Sequence, residues 1–367
     1  MSHQHQQILG PVQSLHMPGG LRIFIQRYDV PLFFLFTFIF SWSIWFMAPI
    51  FPAAHDWRRI QLIAGTGPAL SAILLSLILQ PGRDPSLAKR HLAVFAIAFV
   101  GAAAIAWLDS LWWDYPLTGV EITFDLVLAL FAAYTLTGAL SPRQGVRQLL
   151  RRLAKWRFSI GWILFAILLW PAIVLIANEI AKWSGISVPA NPTAPDVPVI
   201  LLIVESFLWM LLFGGPLSEE PGWRGFALPR LQARTNPLVA SLWIGVMWGL
   251  WHLPLHLLGA YPGGPAGFMI RLQEIPSAII FTWLFNRTKG SLLPVLFLHA
   301  ARNATSLFLS RAYIPVFVLW LLLACLLVIW DKMWKPLPQS DSWSAQPLIE
   351  NSTELNRSSN SYNESHR

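Results

Sequence analysis

The sequence predicts an all-α fold, a polytopic transmembrane helix bundle of about ten spans within a range of eight to ten. Three observations carry that prediction. Apolar residues (AVILMFWYC) make up 55% of the chain and charged ones 12%, about half the roughly 25% usual in soluble domains, so charges are too few to solvate a globular surface. The apolar residues gather in runs of about 20, the length that crosses a bilayer as a helix. The 20 Trp and 23 Phe supply rings of the kind that collect where hydrocarbon meets water.

In chain order, residues 1–30 read as a polar cytoplasmic tail in which His3 and His5 lie among glutamines, and no apolar core with a small-residue cleavage site marks a signal peptide. Spans follow near 31–52, 61–80, 92–108 and 122–140, the N-terminal transmembrane part 31–140. The segment 141–158, SPRQGVRQLLRRLAKWRF, sets Leu149, Leu150, Leu153 and Trp156 among six cations, which predicts an amphipathic helix lying in the interface against anionic lipid headgroups. The part 159–335 carries spans near 160–181, 198–215, 238–258, 268–285, 291–308 and 314–331. The tail 336–367 is Ser- and Asn-rich with too little apolar surface to fold, and its N-x-S/T matches at Asn351, Asn356 and Asn363 arise by chance in such a stretch.

Lys and Arg separate by side. With the N-terminus inside, one face holds Arg22, Arg27, Arg83, Lys89, Arg90, Arg143, Arg147, Arg151, Arg152, Lys155, Arg157, Arg224, Arg230, Arg234, Arg287, Lys289, Lys332 and Lys335, eighteen in all; the other holds Arg58, Arg59, Lys182, Arg271 and Arg311, five. Both termini are therefore predicted to be cytoplasmic, in a multi-pass protein of the plasma (inner) membrane. The net charge of +8 is parcelled into short loops and does not form the single basic face of a nucleic-acid binder, so no nucleic acid is expected. The one cysteine, Cys325, excludes a disulfide framework and a thiolate zinc cluster.

Polar groups at membrane depth are expensive and so become functional candidates. Three clusters stand out: Ser218-Glu219-Glu220-Pro221-Gly222-Trp223-Arg224, Trp248-Gly249-Leu250-Trp251-His252-Leu253-Pro254-Leu255-His256, and His299-Ala300-Ala301-Arg302-Asn303. In the first, Arg224 stands one helical turn beyond Glu220 and can hold it in a pair, which leaves Glu219 free to act as a base. In the second, His252 and His256 are four apart and Trp248 precedes His252 by one turn, while Pro254 frees the Leu250 carbonyl for a ring N–H. In the third, His299 and Asn303 share a helix face. A lone transmembrane histidine is more often a packing residue bonded to a carbonyl, and the case rests on the clusters occurring together. Glu205 is mid-span and reads as a packing or proton-relay group, whereas Asp125, Glu179 and Glu274 read as wet residues near span ends.

Together and in this order, EEPGWR at 219–224, WGLWH at 248–252 and HAARN at 299–303 resemble the CPBP family of intramembrane proteases, which includes type II CAAX prenyl endopeptidases and relatives linked to bacteriocin immunity and lysostaphin resistance. The resemblance covers roughly 198–306. It implies an endopeptidase in which Glu219 activates water, His252 is its partner at that water, and His299 and Asn303 stabilise the oxyanion, with Glu220 and Arg224 holding the site and Trp248 and His256 supporting it. It departs from the family at Trp248, where Phe is frequent. The implied substrate is a membrane-associated protein or peptide, including a lipidated C-terminus, reached through a membrane-embedded polar cavity open to the cytoplasm.

Glu219, His252 and His299 could also hold a divalent metal such as zinc, although Asn is a poor zinc ligand and no HExxH is present. Depth sets a geometric demand: His252 lies about 22 Å into its span and His299 about 12 Å, so either the seventh helix starts in the cytoplasm or is tilted, or 216–236 dips back into the membrane, and the latter two are expected together. The alternative reading is a non-enzymatic scaffold or an ion-coupled transporter. Against transport, no second copy of EExxxR or WxxxH occurs in 1–197.

Overall fold

The apolar runs form helices because a backbone in hydrocarbon must satisfy its own hydrogen bonds. The computed structural model of the chain describes residues 19–50, 56–115 and 117–338, so the tail histidines His3 and His5, and Asn351, Asn356 and Asn363, lie outside the described residues. In chain order the helices are α1 (Gly19–Arg27), α2 (Asp29–Met47), α3 (Asp56–Ala64), α4 (Gly67–Leu79), α5 (Ala88–Trp112), α6 (Gly119–Thr137), α7 (Gln144–Leu150), α8 (Gly161–Trp183), α9 (Val199–Leu212), α10 (Pro216–Glu220), α11 (Leu228–Gln232), α12 (Pro237–Trp251), α13 (Leu253–Leu257), α14 (Glu274–Arg287), α15 (Leu293–Thr305) and α16 (Tyr313–Trp330). No strand occurs among the described residues, and the protein is an all-α, multi-pass integral membrane protein. Starts are set locally: a Thr118–Glu121 capping box opens α6, Asn236 accepts from the Val239 N–H at 2.9 Å to open α12, and Pro294 opens α15 where its missing N–H costs nothing.

Nine helical stretches among the described residues are long and apolar enough to cross a membrane. The ninth of the ten predicted spans, 291–308, is the exception, because α15 has 13 residues and reaches only about 20 Å. It still passes between the two faces. Its preceding turn is buried, with the Leu292 N–H donating to the Arg152 carbonyl at 3.0 Å, and beyond its far end Ser310 and Ala312 bond to Asn178. That inset start carries His299 into the protein, where it meets Glu220. Segment 216–232 is not irregular backbone; it is helical, and 216–229 is buried throughout.

Two faces emerge from the contacts between loops. On one, Asp29 pairs with Arg230 and Arg234, Gln232 with Asn286, Lys155 with the Lys289 carbonyl, the Leu238 N–H with the Met333 carbonyl, and 82–84 with 142–144. On the other, Arg59 on α3 reaches Asp125 at 2.8 Å and Ser110, and Ser310 bonds to Ala190 and Asn191. The first face holds the cation-rich loops of the sequence.

The interfacial helix expected over 141–158 is only the seven-residue α7 followed by turns. Its Val146, Leu149 and Leu150 are buried in protein instead of lipid, because Gly145 lets the backbones close: a Cβ there would stand 1.9 Å from the Ser76 carbonyl oxygen on α4.

Between α10 and α11 the chain makes a π-helical turn, Pro221–Ala227, in which the Leu228 N–H reaches the Trp223 carbonyl five residues back. Pro221 has no N–H for a regular helical bond, which favours the wider turn at this point. Gly222 packs this turn against α4, where a Cβ would sit 2.5 Å from the Pro68 oxygen. Gly222→Ala is therefore expected to cost about 1–3 kcal/mol, read as a lower Tm in detergent, whereas Gly101→Ala on α5, with open space around it, should leave Tm unchanged or raise it.

Candidate active site

The break between α9 and α10 builds the first wall of the site. Gly215 has φ +115°, a conformation that L side chains rarely adopt, and a Cβ on it would stand 2.6 Å from Glu219 Oε1 and 3.5 Å from His299 Nε2. Both atoms thus converge on one point in the cavity wall. The other oxygen of Glu219, Oε2, accepts from Trp248 Nε1 at 2.6 Å and from Trp223 Nε1 at 3.4 Å. The indoles fix the carboxylate, while Oε1 has no hydrogen-bond donor among the described residues.

Glu220 is fully buried and turned the other way. Its Oε1 accepts from Arg224 Nη1 at 3.1 Å and from His299 Nδ1 at 2.8 Å, so the pair expected between Glu220 and Arg224 also orients the histidine. Arg224 is likewise fully buried, and its guanidinium carbon lies 4.7 Å from the Trp248 ring centroid and 4.9 Å from that of Phe281, a desolvated cation–π arrangement.

His252 sits at the end of α12, where its own N–H turns to the Gly249 carbonyl and the Trp248 carbonyl is taken by its ring Nδ1 at 2.8 Å. The carbonyl that takes the ring is therefore that of Trp248, four residues back, and not that of Leu250, which was expected to take it. A carbonyl only accepts, so Nδ1 carries hydrogen and Nε2 of this cavity-lining residue remains uncommitted. Asn303 donates from Nδ2 to the Gly214 carbonyl at 2.7 Å, which ties α15 to the α9–α10 break. His256 stands apart: Nδ1 faces the Gly264 carbonyl and Nε2 accepts from Arg271 Nε at 3.1 Å, so both nitrogens are used and its part is structural.

These side chains line a cavity of about 460 Å³ that Glu219, Trp248, His252, His299 and Asn303 share. Its far side holds residues given no role from sequence. Glu274, expected to be wet, is 1% exposed and takes Arg302 in a two-pronged pair, at 2.9 and 3.2 Å, together with Arg271 at 3.2 Å. The signal was Arg271 three residues before Glu274 on an apolar helix, with Arg302 inside the HAARN motif. Tyr261 and Arg311 also line the cavity. Burial holds the Tyr261 hydroxyl above the ordinary phenol range, so it carries its proton at neutral pH; burial, with Arg302 nearby, lowers Arg311. Glu205 is buried on α9 and contacts Ser206, outside this cavity.

Gln61, Tyr115, Tyr261, Arg271, Leu307 and Arg311, which also line the cavity, belong to the face opposite the cation-rich loops. Among the described residues no three or more His, Cys, Asp or Glu side chains are grouped to hold a metal ion, and Glu219, His252 and His299 do not form a donor set.

Fold and site together define a helical membrane protein whose buried carboxylates, histidines and arginines surround a polar cavity. Residues 196–305, which contain all three motifs, match the family model described as type II CAAX prenyl endopeptidase Rce1-like, as the motif resemblance implies. A CAAX prenyl protease 2 of Methanococcus maripaludis is 30% identical over 136 residues, covering 34% of this chain and 49% of the relative. The chain thus spans about half the length of that curated relative.

Truncating one member of a buried ion pair leaves its partner uncompensated. Arg302→Met is expected to cost roughly 3 kcal/mol, measured by thermal unfolding in detergent, and Arg302→Met combined with Glu274→Gln should recover part of that loss.

Proposed function

We propose that the protein is an intramembrane endopeptidase that hydrolyses a peptide bond with water activated by Glu219. The observation that carries this is the convergence of Glu219 Oε1 and His299 Nε2 on the Gly215 surface of a cavity also lined by His252 and Asn303. The likeness of 196–305 to CAAX prenyl endopeptidases supports it.

In this reading a water bound between Glu219 Oε1 and His252 Nε2 gives a proton to Glu219 as its oxygen bonds to the scissile carbonyl carbon. The carbonyl electrons move onto oxygen, where Asn303 and the doubly protonated form of His299 supply hydrogen bonds. With Nδ1 committed to Glu220, only that form carries an Nε2–H for the oxyanion. The C–N bond then breaks and the leaving amine takes the proton from Glu219. Glu220 and Arg224 position these groups from outside the cavity, and Trp248, which lines it, holds Glu219.

The substrate class is a membrane-associated protein or peptide, and membrane lipids surround the bundle. The relative's name adds processing near a lipidated C-terminus as one such class. In this reading the cation-rich face, from which the described chain starts at α1 and on which α16 ends, is the cytoplasmic side of a plasma (inner) membrane.

Comparing protein termini in membranes of cells expressing wild type or an equally abundant Glu219→Gln variant tests the activity without a guessed substrate. New termini are expected with wild type alone; identical termini would sink the proteolytic reading. Once a cleaved protein is known, Glu219→Gln should lower its turnover by about 10²–10⁴-fold. Trp248→Phe removes one hydrogen bond to the carboxylate but keeps the ring; such a bond contributes about 1.5–3 kcal/mol, so turnover should fall by about 10–100-fold, with Trp223 still donating to the same oxygen.

A further inference from the structure

We infer that Arg311 is a specificity residue of the cavity, a guanidinium placed to receive a carboxylate of the bound peptide. The assignment rests on the endopeptidase reading for the ligand's being a peptide, whereas the unmet charge belongs to the cavity whatever is hydrolysed there.

The first observation is the balance of charge in the lining. Its carboxylates and guanidiniums are Glu219 and Glu274 against Arg271, Arg302 and Arg311, one cation more than there are anions. Glu274 is fully engaged: its Oε2 accepts from Arg302 Nη1 at 2.9 Å, and its Oε1 accepts from Arg302 Nη2 and Arg271 Nη1, each at 3.2 Å. Glu220 and Arg224, outside the lining, pair with each other, so they do not remove the surplus. Arg311 is left without an acid. Among the described residues its half-buried guanidinium makes no ion pair and no hydrogen bond, and the contacts it makes are with rings, Tyr313 at 5.0 Å and Trp170 at 6.0 Å from the guanidinium carbon.

The second observation is how firmly this residue is seated. Its neighbours on both sides are tied to the connection after α8 and to α8 itself: the Ser310 N–H donates to Asn191 Oδ1 at 3.0 Å, the Ser310 hydroxyl to the Ala190 carbonyl at 2.6 Å, Asn178 Nδ2 to the Ser310 carbonyl at 2.8 Å, and the Ala312 N–H to Asn178 Oδ1 at 3.0 Å. Trp170 also lies 5.3 Å from the Arg302 guanidinium carbon, and Arg302 is 5.7 Å from the ring of Trp248, whose Nε1 holds Glu219. Packed rings and guanidiniums thus set the place of Arg311 relative to the proposed base. A planar guanidinium with unused N–H groups matches a carboxylate in two-pronged geometry, and a single negative charge brings the lining to balance. That carboxylate is the C-terminus of the peptide or an Asp or Glu side chain near the bond to be cut; a segment lacking one leaves Arg311 uncompensated and binds less tightly.

The test uses the full-length Glu219→Gln chain in detergent, which removes the proposed base, and follows the modification of individual arginines by phenylglyoxal with mass spectrometry. The probes are N-acetyl-tetraalanine as the free acid, the same peptide as its C-terminal amide, and an amide in which one Ala is replaced by Asp. Near saturation a carboxylate-bearing probe is expected to slow modification of Arg311 by about tenfold, the neutral amide to leave it unchanged, and exposed Arg83 to react alike throughout. Protection by the free acid alone assigns the C-terminal carboxylate, and protection by the Asp peptide alone assigns a side chain; protection by both supports the shared chemistry. Equal protection by the neutral amide, or none by either carboxylate at millimolar concentration, would overturn the assignment, as would protection by phosphatidylglycerol alone, which would make Arg311 a lipid contact. Once a cleaved protein is known, Arg311→Gln should raise KM for its carboxylate-bearing peptide by about 10–100-fold with kcat little changed, leave the matching amide unaffected, and be partly rescued by Arg311→Lys. Equal losses on both peptides would reduce Arg311 to a packing residue. The footprint does not read hydrolysis, so unchanged termini with Glu219→Gln would remove the peptidase reading and leave the carboxylate site to be decided by the probes.

Discussion

A charge taken out of water must be compensated within the protein, and the site is organised around one such charge, the Glu220 carboxylate. At zero exposure it is shared by Arg224 from its own helical segment and His299 from α15, so a single group ties the α10–α11 stretch to the helix that contributes the third motif. The Arg224 cation in turn lies over rings from α12 and α14. Removing the carboxylate would leave a buried guanidinium and a histidine without its orienting partner, and four helical elements would lose their common anchor.

Glu219 is next in sequence and opposite in circumstance. It has no ion pair among the described residues; two indole N–H groups hold one oxygen, and the other is bare because Gly215 has no side chain to cover it. Two adjacent carboxylates thereby divide into a structural group and a reactive one. A second frame, Glu274 between Arg302 and Arg271, holds the opposite wall, so the cavity lies between two charge-compensated walls and keeps its shape without depending on lipid.

The membrane class, the helical spans and the three clusters were legible in the sequence because apolar run length and misplaced polar residues are local properties. The Glu220–Arg224 pair was legible for the same reason, being four residues apart. What escaped was non-local. Glu274 looked wet because it stands near the start of a span, and only packing brings α15 close enough for Arg302 to reach it. The contacts of His256 could not be read from its spacing to His252, since the chain breaks between α12 and α13 and Arg271 takes its ring. The inset start of α15 and the shortness of α7 depend on how 152–155 and Gly145 seat against other elements, which no periodicity records.

The π turn at 221–227 winds one additional residue into a helix that is fastened at both ends. At one end is Glu219 in the cavity; at the other, Arg230 and Arg234 are clasped to Asp29 at the start of α2. Each residue of a regular helix advances the chain by about 100° of rotation, so loss of that one residue would turn one end against the other by roughly this angle. Site and clasp are therefore in torsional register.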